Sequence, residues 1–143
     1  MEETAVSAYF TLIGDDFDVN YVTNVLDITP SETRYKDEIL GNGRKFGHTE
    51  WGISTGHEVS LDINNQFNTI FALVYDKIDL LSQLCVECNA EWHILFVITI
   101  ENGYAPAMYF KKDFIHFAAA IDAQIGFDTY IYSLDEGGYR GVE

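Results

Sequence analysis

The stretch WHILFVITI, residues 92–100, constrains this chain most. It is apolar at odd and even positions alike, eight or nine residues long, and rich in β-branched and aromatic residues. A run of that length is a strand, and apolarity on both sides predicts a central strand with both faces covered. It is far short of the ~20 residues that span a bilayer. One buried strand demands neighbours and layers, so the rest of the sequence is read around it.

Val6, Ala8, Phe10 and Leu12 alternate with Ser7, Tyr9 and Thr11, the period of a half-buried strand. A short helix follows, with Tyr21, Val22, Val25 and Leu26 at helical spacing and Pro30 just beyond its end. TRYKDEIL, 33–40, alternates as a second strand. The glycines of GNGRKFG predict a loop, and TEWGIS, 49–54, a strand returning from it. Leu61, Phe67, Ile70, Phe71, Val74, Ile78 and Leu81 form one stripe, which predicts a single long helix from about Asp62 to Leu84. After the central strand, ENGYAP carries an Asn-Gly turn signal, which predicts a hairpin with APAMYF as its second strand. Phe114, Phe117, Ala118, Ile121 and Ile125 predict a further helix capped by Gly126, and FDTYIYSL the last strand.

The order is β-α-β-β-α-β, then β-α-β. The first six elements match the ferredoxin-like pattern, and the remainder extends the same sheet. The expectation is one α+β domain over 1–134, a mainly antiparallel sheet with helices packed on it, and a flexible tail over 135–143.

With 143 residues, 48% hydrophobic and 15% aromatic, the chain can form a real core. Its 23 acids against 8 Lys and Arg give a net charge of −15. That field opposes nucleic acid and anionic membrane, and favours a basic protein partner. Residues 1–33 hold seven acids and no Lys or Arg, whereas Arg34, Lys36, Arg44 and Lys45 carry half the basic charge. This basic stretch either pairs with the chain's own acidic face or contacts a second subunit as a homodimer. No cationic-then-apolar leader is evident at the start, and two cysteines fit a reduced compartment, so a cytoplasmic location is expected.

No constellation of residues specifies catalysis, so the chain is read as no enzyme and without cofactor or metal. GDDFD, 14–18, places Asp18 one residue before a helix, where a carboxylate caps free N–H groups. Calcium-loop spacing is absent, and phosphate binding has the wrong sign of charge. Gly52-Ile-Ser54-Thr-Gly56 matches G-x-S-x-G in form, but the elbow needs a helix behind it and a longer fold. Cys85-Val-Glu-Cys88 is a lone pair at a helix end, where the dipole raises thiol pKa values, and reads as packed thiols. His48, His57, His93 and His116 lack metal spacing, and His93 on the central strand reads as a core histidine. Trp51 and Trp92 lie on strands as packing or interface aromatics.

GDDFD, LDITPSETRYKDE, TEWGISTG and FDTYIYSL together resemble the bacterial domain-of-unknown-function family 4279 over nearly the whole chain. Lys36-Asp37 stands where the family usually has Gly-Asp. The resemblance implies no particular chemistry. It implies a place near bacterial toxin and immunity loci.

The leading expectation is therefore a non-catalytic acidic binding protein, an immunity protein that neutralises a basic toxin domain such as a nuclease. Its contacts are expected at Asp15, Asp16, Asp18, Asp76, Asp79 and Glu87. The alternative is a small-molecule-binding or regulatory domain with a cleft at Trp51, Ser54 and His57. Hydrolytic or metal chemistry at Ser54 or the histidines ranks below both.

Overall fold

The computed structural model describes residues 2–133, so the tail expected at 135–143 lies outside the described residues. The elements run β1 (Ala5–Gly14), α1 (Val19–Leu26), β2 (Glu32–Arg34), β3 (Thr49–Ser54), β4 (Glu58–Val59), α2 (Ile63–Val74), α3 (Ile78–Cys88), β5 (Ala90–Glu101), α4 (Lys112–Ala120) and β6 (Gln124–Tyr132). The sheet order is β2-β3-β1-β5-β6, with β4 paired to the start of β1. Every pairing is antiparallel except β5 with β6. The first four strands in this order, β2-β3-β1-β5, form the ferredoxin-like core, and β6 extends it as expected. The fold is α+β with helices packed on a mainly antiparallel sheet.

Alternation decides which side the helices take. Ala8, Phe10 and Leu12 of β1, Trp92, Ile94, Phe96 and Ile98 of β5, and Trp51 and Ile53 of β3 are buried together. All four helices of the described residues press onto this one face. Phe10 stacks on Trp92 with ring centroids 4.4 Å apart, and Phe67 of α2 meets Phe114 of α4 edge-on at 4.5 Å. The indoles are satisfied despite full burial: Trp92 donates to the Leu81 carbonyl at 2.9 Å, and Trp51 to Thr23 Oγ1 at 3.0 Å. Gly14 is needed because a Cβ there would lie 2.8 Å from the Ala90 Cβ across the pair.

Four expectations are corrected. The long helix is two. It breaks at Tyr75–Lys77, so that α2 packs on β1 and α3 on β5. The sequence carries no proline or glycine at this break, so only the tertiary structure shows it. The strand expected at 33–40 is paired with β3 only over Glu32–Arg34, and the chain then turns. The Asn102-Gly103 turn is present, with both residues at positive φ, but APAMYF does not pair with β5. Pro106 lacks a ladder donor, and Ala107 instead exchanges backbone bonds with Leu61 and Ile63 at the start of α2. The vacant side of β5 is taken by β6, parallel, through the α4 crossover. Finally, Gly126 lies within β6 opposite Leu95; α4 ends earlier, with Asp122 in the left-handed position and Ala123 N–H bonded to the Ala118 carbonyl.

Among the described residues no helix is long and apolar enough to cross a membrane.

Candidate functional site

Among the described residues no helix covers the second sheet face. The same alternation that buries Phe10 and Trp92 turns Tyr9, Thr11, His93 and Leu95 the other way, where they are half-buried without a covering helix. Strand register aligns one row across five strands: Glu32, Gly52, Thr11, His93 and Gln124. The next row is Ser54, Tyr9, Leu95 and Gly126. Gly52 and Gly126 lack side chains, so the rows enclose a groove of about 260 Å³ bounded by Tyr9, Glu32, Glu50, His93 and Gln124. A Cβ at Gly52 would meet Thr11 Oγ1 at 2.9 Å, so a larger residue there would have to displace the Thr11 side chain.

Carboxylates dominate the groove wall. Glu50 Oε2 lies 2.6 Å from His48 Nε2, which holds it in place. Exposed Glu32 is 3.6 Å from Arg34, whose guanidinium also reaches Glu38 and lies over the Phe46 ring. Part of the basic stretch thus folds back on the chain's own acids. Lys36 closes this arrangement on Asp15 at 2.8 Å, and that carboxylate raises the lysine's pKa.

The six acids expected to contact a partner fall into two places. Asp15, Asp16, Asp18 and Glu87 lie at the end of the sheet where β1 finishes and β5 begins. Asp18 is the cap of α1, accepting from the Asn20 N–H at 2.9 Å, so GDDFD starts a helix. Glu87 accepts from Tyr21 Oη at 2.7 Å and from Gln83 Nε2 at 2.9 Å, which hold its carboxyl below the usual range. Asp76 and Asp79 stand apart at the α2–α3 junction.

The three expected cleft residues do not form one. Trp51 is in the core, on the helix side. Ser54 lies on the open face beside Tyr9, its N–H bonded to Ser31 Oγ at 2.9 Å, and β3 runs on to β4 rather than into a helix. His57 is exposed, with Nδ1 3.4 Å from the buried Ser7 Oγ. His93, expected in the core, borders the groove. Burial raises both thiols of Cys85 and Cys88, and neither is in a disulfide. Among the described residues no three His, Cys, Asp or Glu side chains are grouped to hold a metal ion. Sequence reading passed over Tyr9, Glu32, Glu50 and Gln124. Their positions in the strand pattern were visible, but only cross-strand register aligns them.

A second hollow, about 510 Å³, lies at the opposite end of the sheet, bordered by Glu2, Glu3, Glu101 and Tyr104.

A family model described as Domain of unknown function (DUF4279) matches residues 3–132. No curated protein and no solved structure matches the chain.

Proposed function

The chain belongs to the DUF4279 family, a membership that specifies no chemistry, and we propose from its geometry that it is a non-catalytic acidic binding protein for a cationic protein partner. The observation that carries this reading is the open sheet face: a half-buried apolar centre at Leu95 and Tyr9, a carboxylate wall at Glu32 and Glu50, on a chain of net charge −15. Interfaces concentrate affinity in such a desolvated centre with a polar rim. The groove of about 260 Å³ is below the usual ~300–1,000 Å³ of a small-molecule site. It suits one cationic side chain, above all arginine, whose planar fork matches carboxylates and stacks on a tyrosine ring. The acidic end at Asp15, Asp16, Asp18 and Glu87 adds long-range steering. The specific form we favour is an immunity protein, because a nuclease toxin needs a cationic cleft to hold phosphates.

The test uses a short arginine-rich peptide titrated into the chain at low and high salt, followed by NMR. Shifts at Tyr9, Gly52 and His93 that weaken with salt, and vanish in Glu32→Gln/Glu50→Gln, are expected. Binding elsewhere, or affinity indifferent to salt, would refute the reading. Neutralisation itself is tested by growth of cells expressing a cationic toxin domain encoded beside this chain, with and without that double substitution.

The hollow of about 510 Å³ favours a second reading, a small cationic metabolite held by its carboxylates. A spermidine-induced rise in melting temperature, lost on Glu2→Gln/Glu3→Gln, would support it.

A further inference from the structure

The two edges of the sheet are built differently. β2 is three residues long and carries Glu32 and Arg34, a short charged edge that resists pairing. β6 is nine residues long, with Asp128 its one charge and no Lys or Pro. Among the described residues it pairs on one side only, with β5. Its side chains are open for their type: Phe127 is 40% exposed, Tyr130 39% and Ile131 49%. Phe127 is also the outer ring of a core aromatic cluster, 5.4 Å from Phe96 and 6.0 Å from Phe110. Among the described residues, the core therefore runs out to this edge with no further strand or helix over Phe127 and Ile131.

We propose that β6 is the seam of a homodimer, in which two copies pair their β6 strands antiparallel about a two-fold axis through Thr129. The strand is self-complementary in that register. Phe127 of each copy stands opposite Ile131 of the other on the helix side. Asp128 stands opposite Tyr130 on the open side. Centring one residue earlier would set Asp128 against its own copy, and like charges directly opposite destabilise a sheet. Centring on a residue rather than between two also keeps both helix layers on the same side. The paired edge satisfies outward backbone groups, and the Phe127–Ile131 contacts close the aromatic cluster. Each copy carries net charge −15, so the two repel at long range. Salt screens that repulsion, and dimerisation should tighten as salt rises, opposite to capture of a cationic partner.

Sedimentation equilibrium of the full chain at low and high salt tests the proposal. A mass of twice 16.2 kDa, favoured by salt, is expected. Ile131→Lys, an exposed substitution with an unchanged circular dichroism spectrum, should return the chain to monomer. In a Cys85→Ser/Cys88→Ser background, Thr129→Cys should cross-link under mild oxidation, because residues on the axis face each other within disulfide reach. Asp128→Cys should not, since its copy lies beyond the ~7 Å Cα limit. A monomer at every salt concentration overturns the proposal. So does a dimer that survives Ile131→Lys, or one whose Thr129→Cys form stays unlinked.

Discussion

Replacing Asp18 separates a helix cap from a ligand site. Asp18→Ala removes the bond from the Asn20 N–H, 2.9 Å long, at the start of an eight-residue helix. Loss of such a cap costs about 1 kcal/mol. Loss of the anion at the positive helix end adds about 0.3–1 kcal/mol. The expected total is about 1–2 kcal/mol. The helix itself survives, because Val22 and Leu26 remain buried. For a domain of this size the cost corresponds to a fall in melting temperature of roughly 3–8 °C. Asp18→Asn keeps an acceptor and loses only the charge, so about 0.3–1 kcal/mol should go. Thermal and urea melts of the three proteins decide it. Equal losses in Asp18→Ala and Asp18→Asn would show that charge alone matters and that the cap geometry is irrelevant. A rise in wild-type melting temperature with calcium or magnesium, absent in Asp18→Ala, would refute the cap in favour of a cation site.

Gly14→Ala should cost about 1–3 kcal/mol in urea melts, because its Cβ would press on Ala90 from 2.8 Å; an unchanged midpoint would mean the strands separate freely there. Trp92→Ala should cost about 3–5 kcal/mol, from the stacked Phe10 contact and the buried bond to Leu81, and a loss under 1 kcal/mol contradicts the packing described. Tyr21→Phe should move the Glu87 titration up towards the ordinary carboxylate value in NMR, since the Tyr21 hydroxyl is the main group holding it down, followed by Gln83. The stability that Glu87 contributes is present above its unfolded pKa and is lost as pH falls through its lower folded value, so the variant should show a flatter acid limb. Cys85 and Cys88 should react slowly with iodoacetamide near neutral pH, because burial raises both thiols and the thiolate is the nucleophile; labelling at the rate of free cysteine would disprove that.

Much of the molecule was legible residue by residue. Alternation from Val6 to Leu12 names the strand and its buried side, since a side chain's direction in a strand follows from local geometry. Asp18 before an apolar helical stripe reads as a cap for the same reason. The stripe from Phe67 to Leu81 correctly named a sheet-facing surface, whereas Leu61 is exposed ahead of α2, and the break at Tyr75–Lys77 did not show, because the stripe continues through both helices. The site was less legible. His93 and Leu95 are apolar-run residues like Ile94 and Phe96, and nothing local says which set the helices will cover. Trp51 read equally as a packing aromatic and as a cleft residue, and only the pairing with Leu12 on the helix side puts it in the core.

By itself, then, the sequence determined the strands β1, β3 and β5, the cap and stripe of α1, the alternation within β1 and a net charge of −15. These depend on contacts a few residues apart. The tertiary structure alone decided that β6 rather than residues 105–110 lies beside β5. It also decided that all helices of the described residues take one sheet face, and that Glu32, Gly52, Thr11, His93 and Gln124 share a row on the other. Each of these is a choice of neighbour across long loops, set by twist, crossover and register, and no local pattern encodes that choice.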